Sequence, residues 1–179
     1  MTYDNPPQGE IDVSKKLEIY RNLGTPGKPH ALLAGMAGEW QARTRTFMET
    51  GEPPVESTGS CERKMILDGR YLQEDFHGNM MGVPFTGISL TGFDNHTSKF
   101  VSTWVDSLST AIFYFTGRSD SQGRTITQEC RYDDPIKGPM TMRSVTRIVD
   151  EDTHEFEMYG IDRSGKEEKM MAITYTRNK

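Results

Sequence analysis

The amino-acid sequence predicts an all-β protein: a closed antiparallel up-and-down barrel of about ten strands behind a short N-terminal helix. Three observations predict it. From Gly38 onward, segments of about eight to twelve residues rich in threonine, valine, isoleucine and aromatics alternate with turn clusters. The connections are short, so sequential strands are antiparallel neighbours, and none could hold a helical crossover. Closing such a meander removes its exposed edges, which favours a barrel over an open sheet.

The elements follow in order. Residues 1–13, with Pro6, Pro7 and Gly9, read as a loose leader. From Ser14 to about Asn22, SKKLEIYRN reads as a short helix, with Ser14 as N-cap and Leu17, Ile19 and Tyr20 as its apolar positions. Gly24, Pro26, Gly27 and Pro29 end it, and a second helical turn is expected from His30 to Leu33. Strands are expected near 39–49, 57–67, 70–78, 83–92, 99–107, 110–118, 124–132, 140–149, 154–161 and 167–177. Asp68-Gly69 reads as a two-residue type I′ hairpin turn. Phe93 to His96, Ser119 to Gly123, Asp150 to Thr153 and Asp162 to Gly165 read as further turns, and Asp133 to Pro139 as a longer loop. The expected organisation is a leader with its helix over 1–29 and a single barrel domain over 30–179.

Bulk composition agrees. A chain of 179 residues suits one domain, and such a domain buries roughly 70% of its unfolded surface. Only 34% of residues are hydrophobic, as expected where every second strand residue meets water. A net charge of −5 opposes nucleic-acid binding, which needs cations against phosphates. No apolar run reaches membrane-spanning length. MTYDNPPQGEIDVSKK lacks the basic and apolar regions of a signal peptide. A cytoplasmic protein is therefore expected, with no membrane or nucleic-acid partner and a homodimer as the default assembly. Cys61 and Cys130 are expected as free, partly buried thiols. No CxxC pair offers a structural zinc site, and no cofactor or metal is expected.

Motifs for chemistry are sparse. GxSxG, HExxH and GxGxxG do not occur. Gly160 to Lys166, GIDRSGK, follows phosphate-loop spacing up to its lysine, but Glu167 stands where a magnesium-binding hydroxyl is needed, so it reads as a hairpin turn. His30, His77, His96 and His154 are scattered. His96 makes Asn95-His96-Thr97 a formal glycosylation sequon that reads as a polar turn. Gly38-Glu39-Trp40 is more informative. Either Trp40 plugs one barrel end, covered by Arg177 from the last strand through cation–π contact, or Trp40 is ordinary core and Arg177 ordinary surface.

Alternation groups the remaining candidates by face. Phe100, Ser102, Trp104 and Asp106 share one, and Ile112 and Tyr114 oppose Phe113 and Phe115. Glu155, Glu157 and Tyr159 oppose His154, Phe156 and Met158. Arg143 and Arg147 share a face with Val145, and Glu74 with Arg70, Leu72 and Phe76. An interior with few polar groups among apolar walls is the usual make-up of a ligand cavity. Glu74, Trp104, Tyr114, Arg143, Glu157 and Tyr159 are the candidate lining. The alternative is that these charges face water. The 11 methionines, among them Met80-Met81, Met140, Met142, Met158, Met170 and Met171, suit an irregular cavity or plain core filling.

Several segments together resemble a known family. Gly69-Arg70-Tyr71-Leu72, Glu74, Gly82 to Gly87 (GVPFTG), Gly92-Phe93-Asp94-Asn95 and Trp104-Val105-Asp106-Ser107 resemble the bacterial domain-of-unknown-function family 1579. Glu157-Met158-Tyr159, Gly165-Lys166-Glu167 and Tyr175-Thr176-Arg177 fit it too, so the resemblance covers about residues 30–178. Phe93 departs from the family's usual tyrosine in this GYDN-like turn. The family carries no established activity, so the resemblance implies no catalytic residue. It implies a lipocalin-like barrel, and the GxW unit, similar to the calycin signature, favours Trp40 and Arg177 as the barrel's closure.

The leading expectation is a cytoplasmic barrel holding a small, partly apolar molecule. The first alternative is a hydrolase or isomerase using Glu74, Asp106 or Glu157 as a general base with a raised pKa. The second is a barrel with a filled lumen and a structural or oligomer-forming role.

Overall fold

The computed structural model describes residues 12–48, 51–80 and 82–179. Most of the expected leader, the end of the first expected strand at Glu49, and Met81 lie outside the described residues. Helices α1 (Val13–Leu23) and α2 (Lys28–Gly35) precede strands β1 (Gly38–Thr46), β2 (Val55–Ile66), β3 (Tyr71–Met80), β4 (Val83–Asp94) and β5 (Lys99–Asp106). β6 (Phe113–Ser119), β7 (Thr125–Asp134), β8 (Gly138–Ile148), β9 (Thr153–Ile161) and β10 (Glu167–Arg177) complete the described elements. Each strand pairs antiparallel with its sequence neighbours, and β1 pairs with β10, so the sheet closes into an up-and-down barrel.

The helices differ from expectation in detail. Asp12, not Ser14, caps α1, its carboxylate accepting from the Ser14 amide at 3.4 Å. Asp can serve there because its side-chain oxygen satisfies one of the free first-turn amides. α1 contributes no buried residue. α2 is longer than one turn because Pro29 lies in its first turn, where a missing N–H costs nothing. The His30 ring closes its N-terminus, Nδ1 accepting from the Gly27 amide at 3.0 Å.

One turn is corrected. The β2–β3 ladder ends at Ile66–Tyr71, so the connection is four residues rather than the two of a type I′ turn. Leu67, Asp68 and Gly69 all take positive φ values, and the Arg70 amide closes the turn on the Ile66 carbonyl.

α2 covers the end of the barrel where β1 begins. Leu33 and Met36 pack there with Leu72, Phe100 and Ile126, all buried. Phe93, the departure from the family's tyrosine, packs edge-on against Phe100 and His30. The next turn latches the helices down: Asn95 Nδ2 donates to the Leu23 and Thr25 carbonyls at 2.8 and 2.9 Å. Its side chain is thus engaged in the link between α1 and α2.

Candidate functional site

The closed end is built on three residues. Trp40 is fully buried, and its indole donates to the Met36 carbonyl at 3.1 Å. Arg177, its register partner on β10, lies with its guanidinium 4.2 Å from the ring centroid. The same guanidinium donates to the carbonyls of Ala37 (2.6 Å), Gly35 (3.0 Å) and Glu151 (3.0 Å), the last turn of α2 among them. Gly38 is required on two counts: its φ is +133°, and a Cβ there would sit 2.3 Å from Arg177 Nη1.

Inward of this plug lies a charged pair that crosses from β2 to β3. Arg63 Nε donates to Glu74 Oε2 at 2.5 Å, with side-chain exposures of 5% and 15%. The Arg63 guanidinium also faces Tyr175 at 4.2 Å and the Trp40 ring at 5.4 Å. Burial opposes its charge, but Glu74 and Tyr175 outweigh burial and move its pKa upward. His154, stacked on Trp40 with centroids 4.3 Å apart, lies 3.3 Å from Arg63 Nη1 through Nδ1. A guanidinium can only donate, so Nδ1 accepts and the neutral ring carries its proton on Nε2. Burial, then the charges of Arg63 and Arg177, lowers the His154 pKa to about 4. Burial and the Glu74 charge push the free, buried Cys61 thiol up to about 12.

Beyond this layer the lumen opens into a cavity of about 370 Å³ with mostly apolar walls. Glu74 and Trp104 both line it. The indole of Trp104 donates to Asp106 Oδ2 at 2.9 Å, while Asp106 Oδ1 accepts from the Leu108 and Ser109 amides. The benzo ring lies across Gly87 on β4, where an added Cβ would meet it at 2.3 Å. Phe85 stacks alongside at 6.2 Å. Near the far end Met80, Met170 and Met171 border the space. A register shift between Lys169 and Met171 lets consecutive methionines both reach the lumen.

Ser102, Gln128 and Ser144 put a polar strip on the cavity wall from β5, β7 and β8. Gln128 is 8% exposed, and its Oε1 accepts from Ser102 Oγ at 3.2 Å. Its Nε2 is the one buried side-chain nitrogen or oxygen without a hydrogen bond among the described residues. Exchanging the amide's oxygen and nitrogen would only move the deficit to the oxygen, since Ser102 can donate or accept.

Four of the six expected lining residues do not reach the cavity. Tyr114, Arg143, Glu157 and Tyr159 stand on the outer wall, a correction that strand parity explains. Phe113 and Phe115 line the lumen from β6, which turns Tyr114 outward to 56% exposure. Met142, Ser144 and Thr146 do so on β8, and Phe156 and Met158 on β9, which turns Arg143, Arg147, Glu157 and Tyr159 outward. Three of the four still meet. Glu157 binds Arg147 (2.6 Å), Lys169 (2.5 Å) and the Tyr159 hydroxyl (3.0 Å), and Arg143 lies over the Tyr159 ring while gripping Glu167. The hydrogen bond from Lys169 leads the causes that hold the Glu157 carboxyl down at about 2, with Arg147 and Tyr159 adding to it. That is the reverse of the raised pKa expected for a general base. Val145, on the same face, is buried.

Arg63, Gln128, Ser144 and Tyr175 were not among the expected site residues. A signal for two of them exists in the alternation. Gln128 is the polar member of Ile126, Gln128, Cys130, and Arg63 the charged member of Cys61, Arg63, Met65. Among the described residues no group of three or more His, Cys, Asp or Glu could hold a metal ion.

Fold and cavity together define a lipocalin-like class: a ten-stranded meander barrel, counted over the described residues, plugged at one end and hollow within. The chain belongs to the family described as protein of unknown function (DUF1579), whose model matches residues 25–177. No curated protein matches it. Among solved structures it is similar to Rv2717c from M. tuberculosis, with a TM-score of 0.64 and 12% identity over 87% of this chain and all of that one. It is also similar to the S-type phycobiliprotein lyase CPES from Guillardia theta, with a TM-score of 0.58 and 12% identity over 86% of this chain and 94% of that one. Identity at this level speaks to the fold alone. No helix among the described residues is long and apolar enough to cross a membrane.

Proposed function

We propose that the barrel binds a small, partly apolar molecule in its lumen. The observation that carries the reading is the cavity of about 370 Å³ whose wall holds a buried amide without a partner. Ligand pockets usually span roughly 300–1,000 Å³ and combine apolar walls with a few placed polar groups. A buried donor on the cavity wall favours a polar partner within the lumen, since a lost buried hydrogen bond costs about 1–3 kcal/mol. Glu74 and Trp104 remain the proposed ligand-facing residues of the original six, now with Gln128 beside them. Trp40 and Arg177 are assigned to closure.

Native mass spectrometry of protein purified from its own host tests this reading. A retained mass that leaves on denaturation supports it. A bare chain mass, with no uptake of apolar probes by the purified protein, overturns it. The reading extends to the cytoplasm, supported by two buried thiols left unpaired. It also extends to a homodimer, for which α1 offers one support: Val13, Leu17 and Tyr20 form an exposed apolar stripe at 69%, 60% and 71% exposure. Light scattering on Leu17→Glu should then give the monomer mass where the parent gives twice that; a parent already monomeric removes the dimer.

A further inference from the structure

We infer that the lumen selects a flat, aromatic or conjugated molecule without negative charge and with one hydrogen-bond acceptor, the acceptor meeting Gln128 and the flat face meeting Trp104. This rests on the binding reading and goes further by naming the class of ligand.

Three features of the wall make the selection. The first is shape. Trp104 is held flat from several sides: its indole N–H is bound by Asp106, its ring lies across Gly87, and Phe85 stacks beside it. A ring immobilised before binding loses little entropy when another ring stacks on it, so flat ligands are favoured over branched ones. The second is polarity. With the Gln128 amide oriented so that its oxygen takes the Ser102 hydroxyl, Nε2 is left as a buried donor with nothing to bond. A carbonyl or ring-nitrogen acceptor satisfies that donor, whereas a ligand without one leaves it stranded.

The third is charge. The ionic groups on the cavity wall are already engaged: Arg63 with Glu74, and Asp106 with an indole and two backbone amides. An anion entering would meet the Glu74 and Asp106 carboxylates with no uncommitted cation to balance it among the described lining residues. A buried unbalanced charge is far more costly than a buried dipole. The ligand's acceptor is therefore neutral.

Fluorescence titration with three probes on the full-length protein tests this. They are a dimethylaminonaphthyl ketone (prodan), the same dimethylaminonaphthalene without its acyl group, and the anionic anilinonaphthalene sulfonate. The ketone should bind best, and its emission should show a hydrogen-bonded carbonyl. Gln128→Leu should weaken the ketone by about three- to tenfold, the worth of one hydrogen bond, shift its emission to the blue, and leave the acyl-free probe unchanged. The double variant Ser102→Ala/Gln128→Leu should melt no lower than the parent, because it replaces an unsatisfied donor by apolar surface. The same double variant should lose the ketone as Gln128→Leu does, and a binding loss without a stability loss in that one protein separates a ligand contact from a packing role. Tighter binding of the sulfonate, or equal loss of ketone and acyl-free probe in Gln128→Leu, overturns the ligand class while leaving lumen binding intact. No uptake of any probe overturns both.

Discussion

Arg63 and Glu74 are direct register partners on β2 and β3, and their side chains meet in the low-dielectric interior. Removing one leaves the other charged and stranded, so Arg63→Met or Glu74→Gln alone should cost about 3–5 kcal/mol of stability in denaturant unfolding. The apolar double replacement should recover most of that loss. His154 adds a pH dependence whose sign follows from its neutral burial. The unfolded ring takes a proton near 6.5 and the folded ring only near 4. Between those values protons favour the unfolded chain, so stability is full above pH 6.5 and falls as pH drops toward 4, by about 3 kcal/mol in all. Unfolding curves across that window should flatten in His154→Gln, which keeps an acceptor for Arg63. At Gly87, an added methyl has no room beneath Trp104. Gly87→Ala should cost about 1–3 kcal/mol and shift the tryptophan emission, as the indole is pushed into the cavity.

Among the elements, β6 is the least secured. It is laddered to β7 only from Thr116–Ser119 against Ile126–Glu129, while β7 pairs with β8 along its full length. The ladder is tightest at Gly117, where a Cβ would overlap the Thr127 carbonyl, and it has parted by Phe113 and Tyr114. Residues 113–115 stay paired to β5, so amide exchange on β6 should be fastest at those amides of 113–115 that face β7; protection there equal to that at 116–119 would contradict this. The wall formed by β8, β9 and β10 behaves differently. Its network of Arg147, Glu157, Lys169 and Tyr159 lies outside the cavity. Glu157→Gln should cost about 1 kcal/mol, as for partly exposed pairs, and leave probe binding unchanged. Loss of binding in that variant would place the outer network in communication with the lumen.

At the scale of the whole molecule, the meander was legible because each turn carries its own chemistry and each strand its own alternation. GxW and Arg177 were legible as a closure because a closed barrel must set the last strand beside the first. Which face of each strand pointed inward was not. Alternation is symmetric under exchange of faces, and the polar side of β9, with Glu155, Glu157 and Tyr159, reads equally well as a lumen lining or a wet wall. Burial of His154, with Phe156 partly buried beside the core, breaks that symmetry, and it depends on Trp40 of β1 stacking on His154 rather than on local sequence. The Asp68-Gly69 turn was misread for a related reason: the pairing ends one residue early on each strand, and the loop absorbs the difference through three left-handed residues.

A cavity-filling variant reaches the central claim most directly. Ser144 lines the lumen and has open space before it, so Ser144→Phe should be accommodated with the barrel folded and its melting temperature preserved. Titrating the dimethylaminonaphthyl ketone into parent and variant then asks where the ligand goes. Loss of binding in a folded Ser144→Phe protein is the result the account predicts. Undiminished binding in the filled barrel would contradict it, since the ligand would then lie outside the lumen.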